Sequence, residues 1–392
     1  MKQKLSLLLL FFLRFFARIQ IAKLRLLNPR LKIIGVTGSA GKTSTIAAIK
    51  AALEPKFKVK STAGSNSESG IPLSILGIKV TGYSLLDWLR YCLLAKLKIF
   101  SNWQKYDVLV IEMGIDAPYS PKNMSYLLSI VKPDIGVFLN VTPVHLHNFT
   151  SLDQIAREKA KLVNSTPIAI INPALKKFVT NKNIFYINPQ PIKYHHPLPA
   201  IYQQSFGAAI AVAKVLGLES KSATHNLQSN FRLPPSRSTI LKGLKDSQII
   251  DSSYNSSPLA CAEMLQFLST FKGSRLAVLG DMRELGSSSA DEHLKLYQLA
   301  AKTADTIISI GPETQKYFGP KAIKFLYWWQ ALKYLKEHLP PKSTLLVKGS
   351  QNTIFLEELI KGLLAKKSDS KLLCRQSAYW LRTKKQFKLS SS

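Results

Sequence analysis

The stretch IIGVTGSAGKTSTIAAIKAAL, residues 33–53, decides the fold of this chain. An apolar run ends in a glycine-rich turn. The turn opens onto a helical segment that begins with Lys42, Thr43 and Ser44. A strand, a turn and a helix in that order point successive backbone N–H groups into one concavity, and the helix dipole adds positive potential there. Such a cradle takes phosphate oxygens. Glycines let the backbone come close to the ligand, Lys42 has the reach for β- and γ-phosphates, and the Thr43 hydroxyl suits Mg2+. Gly38, Ser39, Gly41, Lys42, Thr43 and Ser44 are therefore the expected nucleotide contacts. A general phosphate loop carries a further glycine at the position of Val36.

Outward from this loop, apolar runs alternate with helical stretches. Residues 32–38, 106–114, 133–141 and 167–172 read as strands, and 42–53 as a helix. Near-continuous Val/Ile/Leu runs separated by helices predict a parallel sheet covered on both faces. The pattern restarts with strand-like 247–255, 274–281, 304–311 and 343–350, and with helical 257–271 and 290–303. That is a second α/β domain. Two prolines in NFRLPPSRS, 230–238, mark the join. The expected organisation is a basic apolar N-terminal helix in 1–32, a phosphate-loop domain in 33–230 and a Rossmann-like α/β domain in 231–392. Glu112 ends the strand in 106–114, so its carboxylate faces the same crevice as the phosphate loop. It is a candidate Mg2+ ligand, and His145, after the next strand in LNVTPVHLHNF, is another.

Composition narrows the partners. Of 392 residues, 46% are hydrophobic, enough for real cores. Lys and Arg number 54 against 23 Asp and Glu, a net charge of +31. So basic a surface attracts nucleotides, anionic lipid or nucleic acid. No stacking or groove-reading motif is present, so nucleic acid is not expected. Cys92, Cys261 and Cys374 lie far apart, without a zinc spacing, which fits a reducing cytosol. Before Glu54 there is no acid, and there are ten Lys or Arg. That region holds LSLLLLFFLRFFARIQIAKLRLL, 5–27, in which Arg14 and Arg18 break an apolar run. A membrane span needs about 20 apolar residues, and no small-residue cleavage site follows as in a signal peptide. The expectation is a helix lying in the inner-membrane interface, which makes the protein cytoplasmic and peripheral on that face. The alternative is a helix packed on the protein's own surface. YSLLDWLRYCLLAKLKIFSNWQ, 83–104, reads as a covering helix or as a second membrane-contacting surface.

The segments TGSAGKTS, EMG, NVTPVHL, IAREKAKL, DSSYNSSP, VLGDMRELG and LVKGSQN stand in an order and spacing that resemble the Mur ligases, over residues 33–365. The resemblance is strongest to members that add D-alanyl-D-alanine to a muramoyl peptide in peptidoglycan precursor synthesis. It implies an ATP- and Mg2+-dependent amide-forming ligase. ATP phosphorylates a substrate carboxylate, an amine attacks the acyl phosphate, and ADP and phosphate leave. Such chemistry needs positive charge and metal on the transferring phosphoryl group. By resemblance, Lys42, Lys159 and Arg237 are the catalytic groups, and Thr43, Glu112, His145 and Lys159 hold the metal. Lys159 matches a lysine carbamylated in many members, which turns a cation into an oxygen donor that Mg2+ prefers. Arg237 matches the arginine that reaches the γ-phosphate on domain closure. Asn140, Asp251, Tyr254 and Asn255 match nucleotide-side positions, and Asp281, Lys348 and Gly349 match further family positions.

The chain also departs from the family. Its members carry an N-terminal domain that grips the UDP-linked substrate, where this sequence has the short segment 1–32. A membrane-held substrate or a partner subunit is the corresponding expectation. Asp251-Ser252 stands in place of an Asp-Asp pair, and the adenine-side motif is not preserved in 198–213. Two alternatives follow: the same chemistry on another acid, such as a folate or lipid-linked muropeptide, or a non-catalytic nucleotide-binding scaffold at the membrane.

Overall fold

A computed structural model describes residues 2–142, 148–350 and 354–391. The chain divides into two compact units. The first takes in Met1–Val141, Asn148–Lys193 and Tyr202–Arg232, and the body of the second is Leu233–Ser392.

The first unit is built on strands β1 (Lys32–Thr37), β2 (Val59–Ser61), β3 (Val108–Glu112), β4 (Ile135–Phe138), β5 (Ile168–Ile171) and β6 (Ile184–Tyr186). They form one sheet in the order β2-β3-β1-β4-β5-β6, every pair parallel. Helices α1 (Lys2–Leu27), α2 (Lys42–Leu53), α3 (Gly70–Leu76), α4 (Leu85–Ser101), α5 (Met124–Ile130), α6 (Leu152–Asn164), α7 (Ile201–Val215) and α8 (Ser220–Asn230) surround it. Ile33, Ile34 and Val36 of β1 are all fully buried, as a strand covered on both faces requires. Gly35 allows α6 to close on that strand: a Cβ there would meet Leu162 Cδ1 at 2.8 Å and Met113 Sδ at 2.9 Å. With β1 between β3 and β4, the C-terminal ends of three adjacent strands open at the point where the strand order reverses. Parallel sheets bind ligands at that point.

The segment 5–27 lies within the single helix α1. Among the described residues, no helix is long and apolar enough to cross a membrane. One face of α1 is buried through Leu13, Ala17 and Gln20, and Leu13 joins Leu73 and Leu76 of α3 and Tyr91 and Ala95 of α4 in one cluster. The helix is thus packed on the protein's own surface. The stretch 83–104 is α4, which covers the domain. Its start is fixed by a capping box: Ser84 N donates to Asp87 Oδ2 at 2.9 Å, and Asp87 N donates to Ser84 Oγ at 3.2 Å.

The second unit has strands β7 (Thr239–Lys242), β8 (Gln248–Ser252), β9 (Arg275–Gly280), β10 (Thr306–Ile310), β11 (Ala322–Phe325) and β12 (Thr344–Lys348). Their order is β11-β10-β9-β12-β8-β7, parallel except for the β7–β8 pair. The two-residue period of β12 sends Leu345 and Val347 into one core and Leu346 into another, so both faces of this sheet are covered. Strands β2, β6, β7 and β11 are additions to the sequence reading. Each has three or four residues and lies at a sheet edge or pairs next to one.

Candidate active site

The turn after β1 is shaped by its neighbours before any ligand arrives. Gly41 has φ +80°, a left-handed conformation open to glycine, and it starts α2 without a side-chain cap. The early N–H groups of α2 are thereby left to the loop and to an incoming anion. Asn140, after β4, grips the loop from the side. It accepts from Ala40 N at 2.9 Å through Oδ1, donates to Ala40 O at 3.1 Å through Nδ2, and accepts from Ser39 N at 3.0 Å through its backbone carbonyl. Gln204 of α7 holds Asn140 in turn, at 3.3 Å. With its amide engaged on the loop backbone, Asn140 positions the turn expected to hold the nucleotide. Thr45 of α2 meets Ser205 of α7 at 3.0 Å, just behind the loop.

Two lysines converge on the mouth of this cradle. The Gly38 carbonyl accepts from Lys42 Nζ at 2.8 Å and from Lys159 Nζ at 3.3 Å. Lys159 sits on the inward face of α6 and is only 2% exposed. Burial, and then the charge of Lys42, hold its pKa well below that of an ordinary lysine, with Asp116 opposing. The amine is therefore pushed toward its neutral, nucleophilic form. That is the form which reacts with carbon dioxide.

The oxygen donors lie on the other side of the loop. Glu112, 3% exposed at the end of β3, accepts from Thr43 Oγ1 at 3.0 Å and Gly64 N at 3.2 Å through Oε2, and from Asn66 Nδ2 at 3.2 Å through Oε1. Its own N–H donates to Thr62 Oγ1 at 3.1 Å. A carboxylate and a hydroxyl beside a phosphate cradle are a hard donor set that fits Mg2+, which is commonly held by one or two carboxylates, substrate phosphates and water. Among the described residues, no three His, Cys, Asp or Glu side chains converge, and His145 lies outside the described residues. Thr62, Gly64 and Asn66 come from STAGSNSESG, 61–70, whose Ser/Gly-rich composition signals a loop but not its target.

The second unit presents its own cluster. Asp251, at the end of β8, is fully buried, and burial raises its pKa. Its Oδ2 accepts from Ser236 Oγ at 2.7 Å, and its Oδ1 accepts from Ser253 N at 3.0 Å and Ser253 Oγ at 2.7 Å. Asp251 thereby braces two turns of this cluster. It ties the Arg237 turn, where Ser236 and Ser238 have φ of +56° and +64°, to the Ser253–Asn255 turn. The Arg237 guanidinium lies 4.4 Å from the Tyr254 ring centroid, and Lys348 Nζ donates to Asn255 O at 2.9 Å. Behind them is a group the sequence reading passed over. Arg375 donates to Tyr254 O and Ser253 O at 3.0 Å each, and pairs with both oxygens of Glu357 at 2.9 Å. Nothing near Arg375 in the sequence marks a partner 18 residues earlier.

Comparisons with known proteins agree with this layout. Residues 36–231 match the family profile described as Mur ligase middle domain, and residues 236–351 match Mur ligase, glutamate ligase domain. A curated relative from Buchnera aphidicola subsp. Acyrthosiphon pisum, a UDP-N-acetylmuramoyl-tripeptide--D-alanyl-D-alanine ligase, is 26% identical over 85% of this chain and 78% of its own. Among solved structures, MurF from Acinetobacter baumannii superposes with a TM-score of 0.73 at 22% identity, covering 90% of this chain and 81% of that one. MurF ligase from Thermotoga maritima, solved in complex with ADP, gives 0.70 at 22% identity over 88% and 83%.

Proposed function

The chain belongs to the Mur ligase family, and from that premise we propose that it adds D-alanyl-D-alanine to a muramoyl tripeptide at the expense of ATP. The single observation that carries this reading is the convergence of Lys42 and Lys159 with the Thr43–Glu112 pair around one phosphate cradle. A protein that merely binds nucleotide has no chemical need for all four. The relatives and neighbours named above support the choice of substrates.

In this reading the backbone N–H groups of residues 38–44 hold the phosphates. Lys42 turns from Gly38 O to the β- and γ-phosphate oxygens. Thr43 and Glu112, with His145, would hold Mg2+, which would supply positive charge against the phosphate oxygens. Lys159, as its carbamate, supplies a further oxygen at that position. Arg237, aligned by Tyr254, is the second unit's cation for the transferring phosphoryl group, and the turn at Tyr254 and Asn255 serves the nucleotide and amine side. The substrate carboxylate oxygen attacks the γ-phosphorus and ADP leaves. The amine of D-alanyl-D-alanine then attacks the acyl carbon, loses its proton, and expels phosphate. The segment 1–32, the unit 33–230 and the unit 231–392 are the proposed working divisions. The proposed location is the cytoplasm, peripheral on the inner membrane face.

The test is ADP release by purified protein with Mg-ATP, UDP-MurNAc-tripeptide and D-alanyl-D-alanine. Release that requires both substrates is expected. Release with a different acid in place of the muramoyl tripeptide would keep the chemistry and move the substrate. No release with intact nucleotide binding would leave a scaffold.

A further inference from the structure

Helices α1 and α4 run side by side in the same direction. Leu13 of α1 packs with Tyr91 and Ala95 of α4. Further along, Gln20 Nε2 donates to Asn102 O at 3.2 Å, Lys23 Nζ donates to Ile99 O at 2.6 Å, and that ammonium lies 3.7 Å from the Trp103 ring centroid. Both helices turn one face inward to a shared cluster. An ordinary surface helix turns a mainly polar face outward. On these two the middle of the outer face is apolar and charge stands at its margins.

On α4, Leu86, Leu89, Leu93, Leu97 and Phe100 are all exposed, from 49% to 77%. Their spacing of three and four residues puts them in one stripe. On α1, Leu8, Phe11, Phe12 and Phe15 are exposed in the same spacing. The inward faces of both helices meet in one cluster, and the two stripes are the faces left outside it. The patch is far beyond the scattered apolar residues that every protein exposes. Charge says what covers it. Arg18 of α1 and Arg90 and Lys96 of α4 are exposed at the margins of the stripes, and no acid precedes Glu54 in the chain. Tyr83 and Trp103, both exposed, stand at the two ends of α4, where amphipathic rings settle at headgroup depth. Apolar stripe, basic margin and aromatic ends together match an anionic bilayer surface.

We propose that α1 and α4 form one docking surface that lies flat in the interface of a membrane rich in anionic lipid, with both leucine and phenylalanine stripes in the acyl boundary. This deepens the peripheral placement above and assigns it to two helices rather than to the N-terminal segment alone. It is independent of turnover, since binding is read without ATP, so its failure leaves the ligase reading standing.

The experiment is co-sedimentation of the full chain with vesicles of phosphatidylcholine alone and of equal parts phosphatidylcholine and phosphatidylglycerol. Wild type is expected to bind the anionic vesicles and to release at high salt. Leu89→Glu with Leu93→Glu should lower binding at least about tenfold. Arg90→Gln with Lys96→Gln should weaken it about thirtyfold, at about fivefold per charge. Both pairs are on the outer face of α4, so melting temperature and ATP turnover in solution should stay as in wild type. Wild type that ignores anionic vesicles, α4 variants that bind like wild type, or a stable dimer that the Leu89/Leu93 variant dissociates would overturn the proposal.

Discussion

Replacing Asn66 with Ala isolates the support of the metal site from the site itself. Asn66 holds the carboxylate through the oxygen that Thr43 does not use. Its Nδ2 donates at 3.2 Å to Glu112 Oε1, while Thr43 and Gly64 hold Oε2. The backbone carbonyl of Asn66, which accepts from Gly114 N at 3.0 Å, is untouched by the change. A hydrogen bond to a charged group contributes about 1.5 to 3 kcal/mol. If that energy holds the carboxylate in its metal-binding rotamer, its loss weakens Mg2+ by about 10- to 100-fold, the range seen for outer partners of metal ligands. The assay is ADP release against Mg2+ concentration at saturating substrates. The half-activating Mg2+ concentration should rise by that factor, while the rate at saturating Mg2+ stays within about twofold of wild type. An unchanged Mg2+ requirement would refute the argument. So would a lost rate that added Mg2+ does not restore, because Asn66 would then act on something other than Glu112.

Lys159→Ala should abolish turnover, and added bicarbonate should not restore it, since no amine remains to carry the carbamate; full activity in that variant would remove Lys159 from the chemistry. Glu357→Gln strands Arg375, 5% exposed, whose guanidinium lies 2.9 Å from the lost carboxylate, while Lys384 loses a 3.0 Å contact and keeps Glu358 at 2.8 Å. Breaking one side of a buried pair costs about 3 to 5 kcal/mol, which lowers the melting temperature by about 6 to 20 °C in calorimetry. Burial alone would raise the Glu357 pKa, but Arg375 and Lys384 outweigh it and hold it below the ordinary glutamate value of 4.5. A depressed folded pKa means the stabilisation is complete above that value and is lost as pH falls through the folded one. Wild type should therefore lose melting temperature more steeply than Glu357→Gln below pH 4.5. Parallel acid limbs would show that the pair carries no such linkage.

The parts of the site that were legible in the sequence are those whose chemistry is local. The strand ending at Thr37, the turn with Gly38 and Gly41, and the helix from Lys42 to Leu53 lie within one stretch, and apolar period and glycine placement suffice to read them. Glu112 was legible because a carboxylate at the end of a buried strand has few places to point. Asn66 was not, because nothing in a Ser/Gly-rich loop says which strand end it folds over. Arg375 and Glu357 form a pair only because the Ser253–Asn255 turn and the helix at 356–363 come together in three dimensions. Asp251 and Asn140 were legible as residue types suited to a ligand site, but the turns they hold in the fold were not. The short edge strands escaped because three or four half-buried residues carry no clear alternation. In α1 apolar residues stand on two faces, so sequence alone does not say which of them the protein keeps for itself.

The most direct test of the central claim follows one oxygen atom. The muramoyl tripeptide is prepared with 18O in its terminal carboxylate and turned over with Mg-ATP and D-alanyl-D-alanine, and the released phosphate is analysed by mass spectrometry. An acyl phosphate intermediate predicts one 18O in each phosphate, because the carboxylate oxygen that attacks the γ-phosphorus leaves with it when the amide forms. Phosphate without the label, released as fast as the amide appears, would contradict the account.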